Sequence, residues 1–328
     1  MIDYIMKKLL RYVISFIIIL IVIFSLPRMM PGNPKDYYLI TTVHIGETHE
    51  KLQSELIARL GLNKSITDQF IMFLVNTFQG YFGLSWRYYP REVSSIIIER
   101  LPWTFFLVLS ARIISFMLGY LLGVIAAWKH GSKIDILIQL AGLVSMNIPP
   151  FWVGLVLLLI FAFYIPVLPF GGSLTPGFQF RSFWDFACDF LYHAILPITT
   201  LSIVTFFMDA LIMRNNMIEI LGEDFITTAE AKGLKNRTIM FKHAARNALL
   251  PFVTGAFMGF GLQITGAIFV ETVFAYPGMG MLLNEAILSR DFPLIQGILI
   301  TTTIIILTSN FIADLLYARL DPRIRLKT

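Results

Sequence analysis

The chain has 328 residues, of which 56% are hydrophobic and only 14% charged, against about 25% charged in soluble domains. A soluble fold so composed would lack the polar surface to cover itself, so the composition points to an integral membrane protein in contact with lipid. The formal net charge of +5 comes with no nucleic-acid-binding motif, and the single cysteine, Cys188, excludes an intrachain disulfide and a cysteine-based metal cluster.

Lys7, Lys8 and Arg11 lead into an apolar run that ends at Leu26. Leu26-Pro27-Arg28 follows without a small-residue cleavage pattern, so residues 1–28 read as an uncleaved first membrane helix and not as a signal peptide. Residues 29–101 are a long segment between the first two spans, with several lysines and arginines. "HEKLQSELIARLG" places Leu52, Leu56 and Leu60 on one helical face with Gly61 as a stop. "DQFIMFLVNTFQGYFG" is too short to span and is expected to pack on the bundle at the interface, where aromatics are favoured. The segment reads as a small external subdomain, too aromatic for a disordered loop.

A helix needs about 20 apolar residues to cross the hydrocarbon. Six stretches qualify: 9–26, 103–128, 134–165, 194–213, 252–270 and 294–317. The third contains Pro149-Pro150 and is expected to kink or to begin late. Basic residues collect before the first span, at Lys129 and Lys133, between spans four and five, and at Arg319, Arg323, Arg325 and Lys327. The loops on the other side carry only Arg181 and Arg290. The positive-inside rule then puts both termini in the cytoplasm, and the 29–101 segment is long enough to be translocated despite its charges. The expected fold is an all-α polytopic membrane protein with six transmembrane helices, a core domain over 102–320 and a cytoplasmic tail at 321–328.

On this topology 214–251 is the largest cytoplasmic loop. Phe225, Ala229 and Lys232 recur at helical spacing, with Gly233 as the C-cap. In "RTIMFKHAARNALL", Phe241, Ala244, Ala245 and Ala248 form one face, with Lys242, His243 and Arg246 on the other, an interfacial pattern. Pro251 is expected to open span five. A solvated basic loop would account for the charges, but its alanines and glycines suit a helix seated in another protein's groove.

Arg112 and Asp209 fall inside spans, where a charge costs at least about 2.5–3.5 kcal/mol at midplane. They are either a polar pathway or a structural pair, and the structural pair is the favoured reading. Asp209 is placed about one turn before the end of span four. Glu271 and Asp314 are expected to have structural roles at helix ends. Gly119-x-x-x-Gly123 and Gly255-x-x-x-Gly259 permit close helix contact, within the chain first of all. His44, His49, His130, His193 and His243 show no metal-ligand spacing, and no metal site or catalytic constellation is expected.

"TAEAKGL" and "KHAARNALLP" resemble the cytoplasmic loop of permease subunits of ATP-binding cassette importers, specifically the dipeptide/oligopeptide/nickel group. The resemblance runs along nearly the whole chain, through "LPRMMPGNP", "LGLNKSITDQF", "GYFGLS", "NIPPFWVG", "ETVFAYPGMGMLLNEAILSRDFP" and "DLLYARLDPRIR". The long segment between the first two spans is similar to the B-type subunit. Two features depart from the group's pattern: Gly80-Tyr81-Phe82-Gly83 lacks an acidic residue, and Thr227-Thr228-Ala229 stands where many importers have Glu-Ala-Ala.

The resemblance implies a mechanism and partners. An external substrate-binding protein delivers a ligand to this subunit and a C-type permease, and two cytoplasmic ATPases drive the switch of access. The chain has no G-x-x-x-x-G-K-[ST] loop, so it is not expected to be an enzyme or to bind a cofactor; ATP and Mg belong on the ATPase subunits. Phe225, Thr228, Ala229, Glu230, Ala231, Lys232, Gly233 and Leu234 are the implied coupling segment. The implied cargo is a di- or oligopeptide, with nickel or an oligosaccharide as alternatives. An ion-gradient-driven transporter would show internal repeats and paired midplane charges, neither of which stands out. The implied location is a prokaryotic cytoplasmic membrane.

Overall fold

The computed structural model describes residues 2–29 and 64–320. The helix expected between His49 and Gly61 and the tail 321–328 lie outside them. Among the described residues no strand is formed; the single β feature is an isolated antiparallel bridge between Leu84 and Glu92.

The helices in chain order are α1 (Ile2–Met29), α2 (Ile66–Phe78), α3 (Val93–Trp128), α4 (Lys133–Ser145) and α5 (Pro150–Leu158), which runs into a π-helical turn at Leu159–Tyr164. They continue with α6 (Phe183–Leu221), α7 (Asp224–Ala231), the short α8 (Asn236–Thr238), a second π-helical turn at Ile239–Ala244, α9 (Ala245–Val273), α10 (Met279–Leu288) and α11 (Phe292–Leu320). Four of them, α1, α3, α6 and α11, are singly long and apolar enough to cross a membrane. Two bent pairs bring the number to as many as six. One is α4 with α5 and its π turn, bent by 105°; the other is Asn236–Gly261 with Gln263–Val273, bent by 47°.

Local chemistry explains where several helices start. Three share a Ser-x-x-Asp opening, in which the serine side chain accepts the N–H of the aspartate three residues on: Ser65 for α2, Ser132 for α4 and Ser182 for α6. The α4–α5 break falls at Pro149-Pro150, because a proline removes a backbone donor and pushes the preceding residue out of the helical region. Pro102, Pro197 and Pro251 instead sit inside α3, α6 and α9, where neighbouring helices hold the chain straight enough to tolerate the lost bond.

Interior packing centres on α3, α6 and α9. Leu107 and Val108 of α3, Leu196 and Leu201 of α6, and Ile264 and Ala267 of α9 share one buried cluster. At one end of the bundle, Val93, Ile96 and Ile97 hold α10 and α11 through Leu282, Ala286, Leu294 and Ile298. At the other end lies α7. The α3–α6 interface is close because Gly119 and Gly123 lack side chains: a Cβ at Gly119 would stand 2.5 Å from Cβ of Asp209, and one at Gly123 would stand 2.6 Å from the Ala210 carbonyl oxygen. The glycine pair therefore serves packing within the chain. The outward faces stay apolar, as at Ile14, Ile18 and Val22 of α1 and Leu137, Leu140 and Leu143 of α4, which suits lipid.

Several boundaries differ from the sequence expectation. α3 begins at Val93, not at 103, so the helix runs through the expected end of the external segment. α6 continues to Leu221, so Asp209 lies about three turns before its end, not one. Pro251 lies inside α9 and does not open it; the chain is helical, with one π turn, from Asn236. A wide turn of this kind absorbs one extra residue without ending the helix. The expected two-sided division holds for the alanines and the flanking charges, but the alanine face is buried in the chain's own core: Ala244, Ala245 and Ala248 are fully buried, and Lys242 and Arg246 are exposed. The "DQFIMFLVNTF" stretch forms α2, which packs on α1 through Phe24 against Phe70 and Phe73, with ring centroids 5.0 and 5.4 Å apart.

Candidate functional site

The segment at the α7 end is built from both sides. Ile226 and Ala229 turn inward, 3% and 5% exposed. They join a cluster with Val124 and Ala127 of α3, Met213 and Met217 of α6, and Ile239 and Phe252 beyond. Phe225, Thr228, Glu230, Ala231, Lys232, Gly233 and Leu234 are exposed. Gly233 has φ +69°, a left-handed conformation that glycine adopts without a steric penalty, and it turns the chain from α7 toward α8. Ala229, selected from the sequence as a contact for a partner, is thus committed to its own chain's core. The surface offered outward is Asp224, Thr228 and Ala231, flanked by Phe225.

The second sequence candidate lies within the bundle. Nη2 of Arg112 on α3 donates to Oδ2 of Asp209 on α6 at 2.5 Å, and both side chains are almost wholly buried. Gly259 of α9 makes room for the guanidinium: a Cβ there would stand 3.3 Å from its Nη1. One turn along, the Ser115 and Thr205 hydroxyls meet at 2.5 Å. The two charges neutralise one another between three helices. This arrangement suits a structural pair, because a buried charge needs a partner with good geometry.

Four further polar links have partners that the sequence did not reveal. Asp135, 1% exposed, receives Nε and Nη2 of Arg214 at 2.8 and 3.0 Å. Its opening motif was visible as Ser132-Lys133-Ile134-Asp135, but the partner was not. Glu271 accepts the Gly280 N–H at 2.6 Å, and Thr104 accepts that of Met279 at 2.7 Å, so two buried side chains close the N-terminus of α10. Asp291 binds the Ser85 hydroxyl at 2.5 Å and the Arg87 N–H at 3.0 Å. Asp314 is held by the Tyr12 hydroxyl at 2.7 Å and Lys8 Nζ at 2.6 Å, which ties α1 to α11. Glu271 and Asp314 thus have structural contacts. Among the described residues no group of three or more His, Cys, Asp or Glu is placed to hold a metal ion.

Residues 119–326 match the family model of the binding-protein-dependent transport system inner membrane component. The chain belongs to this family. As one of its members, it is a membrane permease component and not an enzyme. Its relatives include the oligopeptide transport system permease protein AppB of Bacillus subtilis, 34% identical over 98% of both chains. The di/tripeptide transport system permease protein DppB of Pseudomonas aeruginosa is 34% identical over 99% of both. The dipeptide transport system permease protein DppB of Escherichia coli K12 is 32% identical over the full length of each.

Proposed function

We propose that this chain is the B-type permease subunit of an ATP-driven, binding-protein-dependent importer of di- or oligopeptides in a prokaryotic cytoplasmic membrane. The peptide cargo rests on the relatives, whose names specify dipeptides, tripeptides and oligopeptides. Six crossings with both termini cytoplasmic fit the distribution of lysine and arginine and the two bent pairs. The subunit pairs with a C-type permease beneath an external binding protein. The segment between α1 and α3 is the external subdomain, and 214–251 face two cytoplasmic ATPases that hold ATP and Mg.

One observation carries the coupling assignment: α7 has a sealed inner face and a bare outer one. Ile226 and Ala229 fasten it to the ends of α3 and α6 and the approach to α9, so a push on the exposed side is delivered to three membrane helices together. Asp224, Phe225, Thr228 and Ala231 supply a short, shallow surface that another subunit's groove can take. Arg112 and Asp209 hold the helices together in this reading.

The test is to place arginine on the outer face. In a complex reconstituted with the partner permease and ATPases, Ala231→Arg overpacks the contact by ~1–3 kcal/mol and desolvates a charge. The subunits then bind weakly, or hydrolyse ATP without uptake of labelled di- and oligopeptides. Lys235→Gln changes a solvated charge and has a mild effect. Parental assembly and transport by Ala231→Arg would remove the coupling assignment. Uptake of nickel or an oligosaccharide in place of peptides would remove the cargo.

A further inference from the structure

The bent α4–α5 span has no covalent route to α7 except through α6. Between them stands the Asp135–Arg214 pair. Arg214 lies on the α6 extension that leads, through Gly222 and Glu223, into α7. Its guanidinium forks onto both oxygens of Asp135 at 2.8 and 3.0 Å. Asp135 is fixed in turn: its Oδ2 accepts the Gly131 N–H at 2.9 Å, and its Oδ1 accepts Nε2 of Gln139 at 3.1 Å. A forked, charge-assisted pair fixes both distance and angle. An apolar contact can slide; this one cannot without leaving a buried charge unpaired.

A second contact, seven residues farther along α4, holds it against the preceding part of α6, so the two helices run in opposite directions. A Cβ at Gly142 would stand 3.0 Å from Cβ of Leu211 and 3.1 Å from the Phe207 carbonyl oxygen. Past this point the chain breaks by 105° into α5. Gly154 of α5 lies against Thr200 and against Phe274 of the central interior cluster.

We propose that the Asp135–Arg214 pair is the mechanical link that makes α4 travel with α7, carrying the coupling motion into the bent α4–α5 span. In this assignment both are positioning residues. The proposal rests on the coupling reading of α7 given above.

The test uses the full complex in lipid nanodiscs with the Cys188→Ser background. Spin labels at Lys232→Cys and Leu137→Cys report the α7–α4 distance, and labels at Lys232→Cys and Ile304→Cys report the distance from α7 to α11. In the parent, Mg–ATP shifts the α7–α11 distance and leaves the α7–α4 distance unchanged. In Asp135→Asn, which keeps an oxygen for the Gly131 N–H, and in Arg214→Gln, the α7–α4 distribution widens or splits with nucleotide. The double variant is no worse than either single one. Variants that assemble less but keep a parental, nucleotide-independent α7–α4 distance show a pair that only stabilises, and overturn the link. A parent in which the α7–α11 distance ignores nucleotide overturns the coupling reading itself, and the link with it.

Discussion

Arg112 and Asp209 close a buried ion pair at 2.5 Å across the same α3–α6 interface that Gly119 and Gly123 bring into contact. The charges and the glycines depend on each other. Only at glycine spacing does the backbone of α6 come near enough for Asp209 to take the guanidinium, and only the pairing makes two charges tolerable there.

Removing one member leaves the other buried and unpaired. Arg112→Gln or Asp209→Asn alone is expected to cost about 3–5 kcal/mol, read as a loss of folded chain in membranes and a lower melting temperature in detergent. The double variant should recover much of the loss, as a double-mutant cycle measures. A double variant that assembles fully yet fails in uptake would return the pair to the pathway.

The glycines separate in the same assay. Gly123→Ala forces a Cβ to 2.6 Å from a backbone oxygen, whereas the nearest atom to a Cβ at Gly255 is a methyl of Ile212 at 4.0 Å. We expect Gly123→Ala to destabilise by about 1–3 kcal/mol through overpacking. Gly255→Ala should be near neutral. Equal effects at the two positions would contradict the close approach at the α3–α6 interface.

Ala229 and Ala231 make a pair of opposites on one helix. Ala229→Arg drives a charged chain into the cluster around Met213 and Met217 and should lower the stability of the isolated permease, because a buried charge without a partner is expensive. Ala231→Arg should leave that stability within about 0.5 kcal/mol, the usual range for surface substitutions. Thermal unfolding of the purified chain in detergent distinguishes them without any partner subunit.

Orientation is tested in intact cells. With Cys188 replaced by serine, Tyr88→Cys should react with an impermeant thiol reagent and Lys235→Cys should not, as the basic loops require. Labelling at 235 and protection at 88 would invert the topology.

Glu271 caps α10 through a carboxylate oxygen. Glu271→Gln keeps an acceptor for the Gly280 N–H, and Glu271→Ala leaves that buried donor unsatisfied at a cost of about 1–3 kcal/mol. Hydrogen exchange over α10 should rise in the alanine variant and stay near parental in the glutamine variant.

The spans were legible as long apolar runs, whereas the Ser-x-x-Asp openings of α2, α4 and α6 were a local capping signal that went unread. Inward and outward faces of the spans were not. Lipid and protein interior are both apolar, so Leu107 in the core and Leu109 on the surface of α3 carry the same signal. Long-range polar links were hidden for another reason: Asp135 and Arg214 are each an ordinary residue near an interface until the fold brings them together. Ala229 shows the remaining ambiguity. A small side chain on a short helix suits a partner's groove and its own chain's core equally well, and only its neighbours decide.

The separation of Asp135 from Arg214 also imposes an order of events during synthesis. Arg214 follows Asp135 by 79 residues, roughly 4–16 s of translation at ~5–20 residues per second. The α4–α5 segment therefore leaves the ribosome with an acidic residue whose counter-charge does not yet exist. Until α6 arrives, Asp135 must stay at the water boundary, and α4, with 13 residues, is too short to span the hydrocarbon alone. The 105° break itself is local to Pro149-Pro150, but the docking of α4 on α6 through Asp135 waits for Arg214.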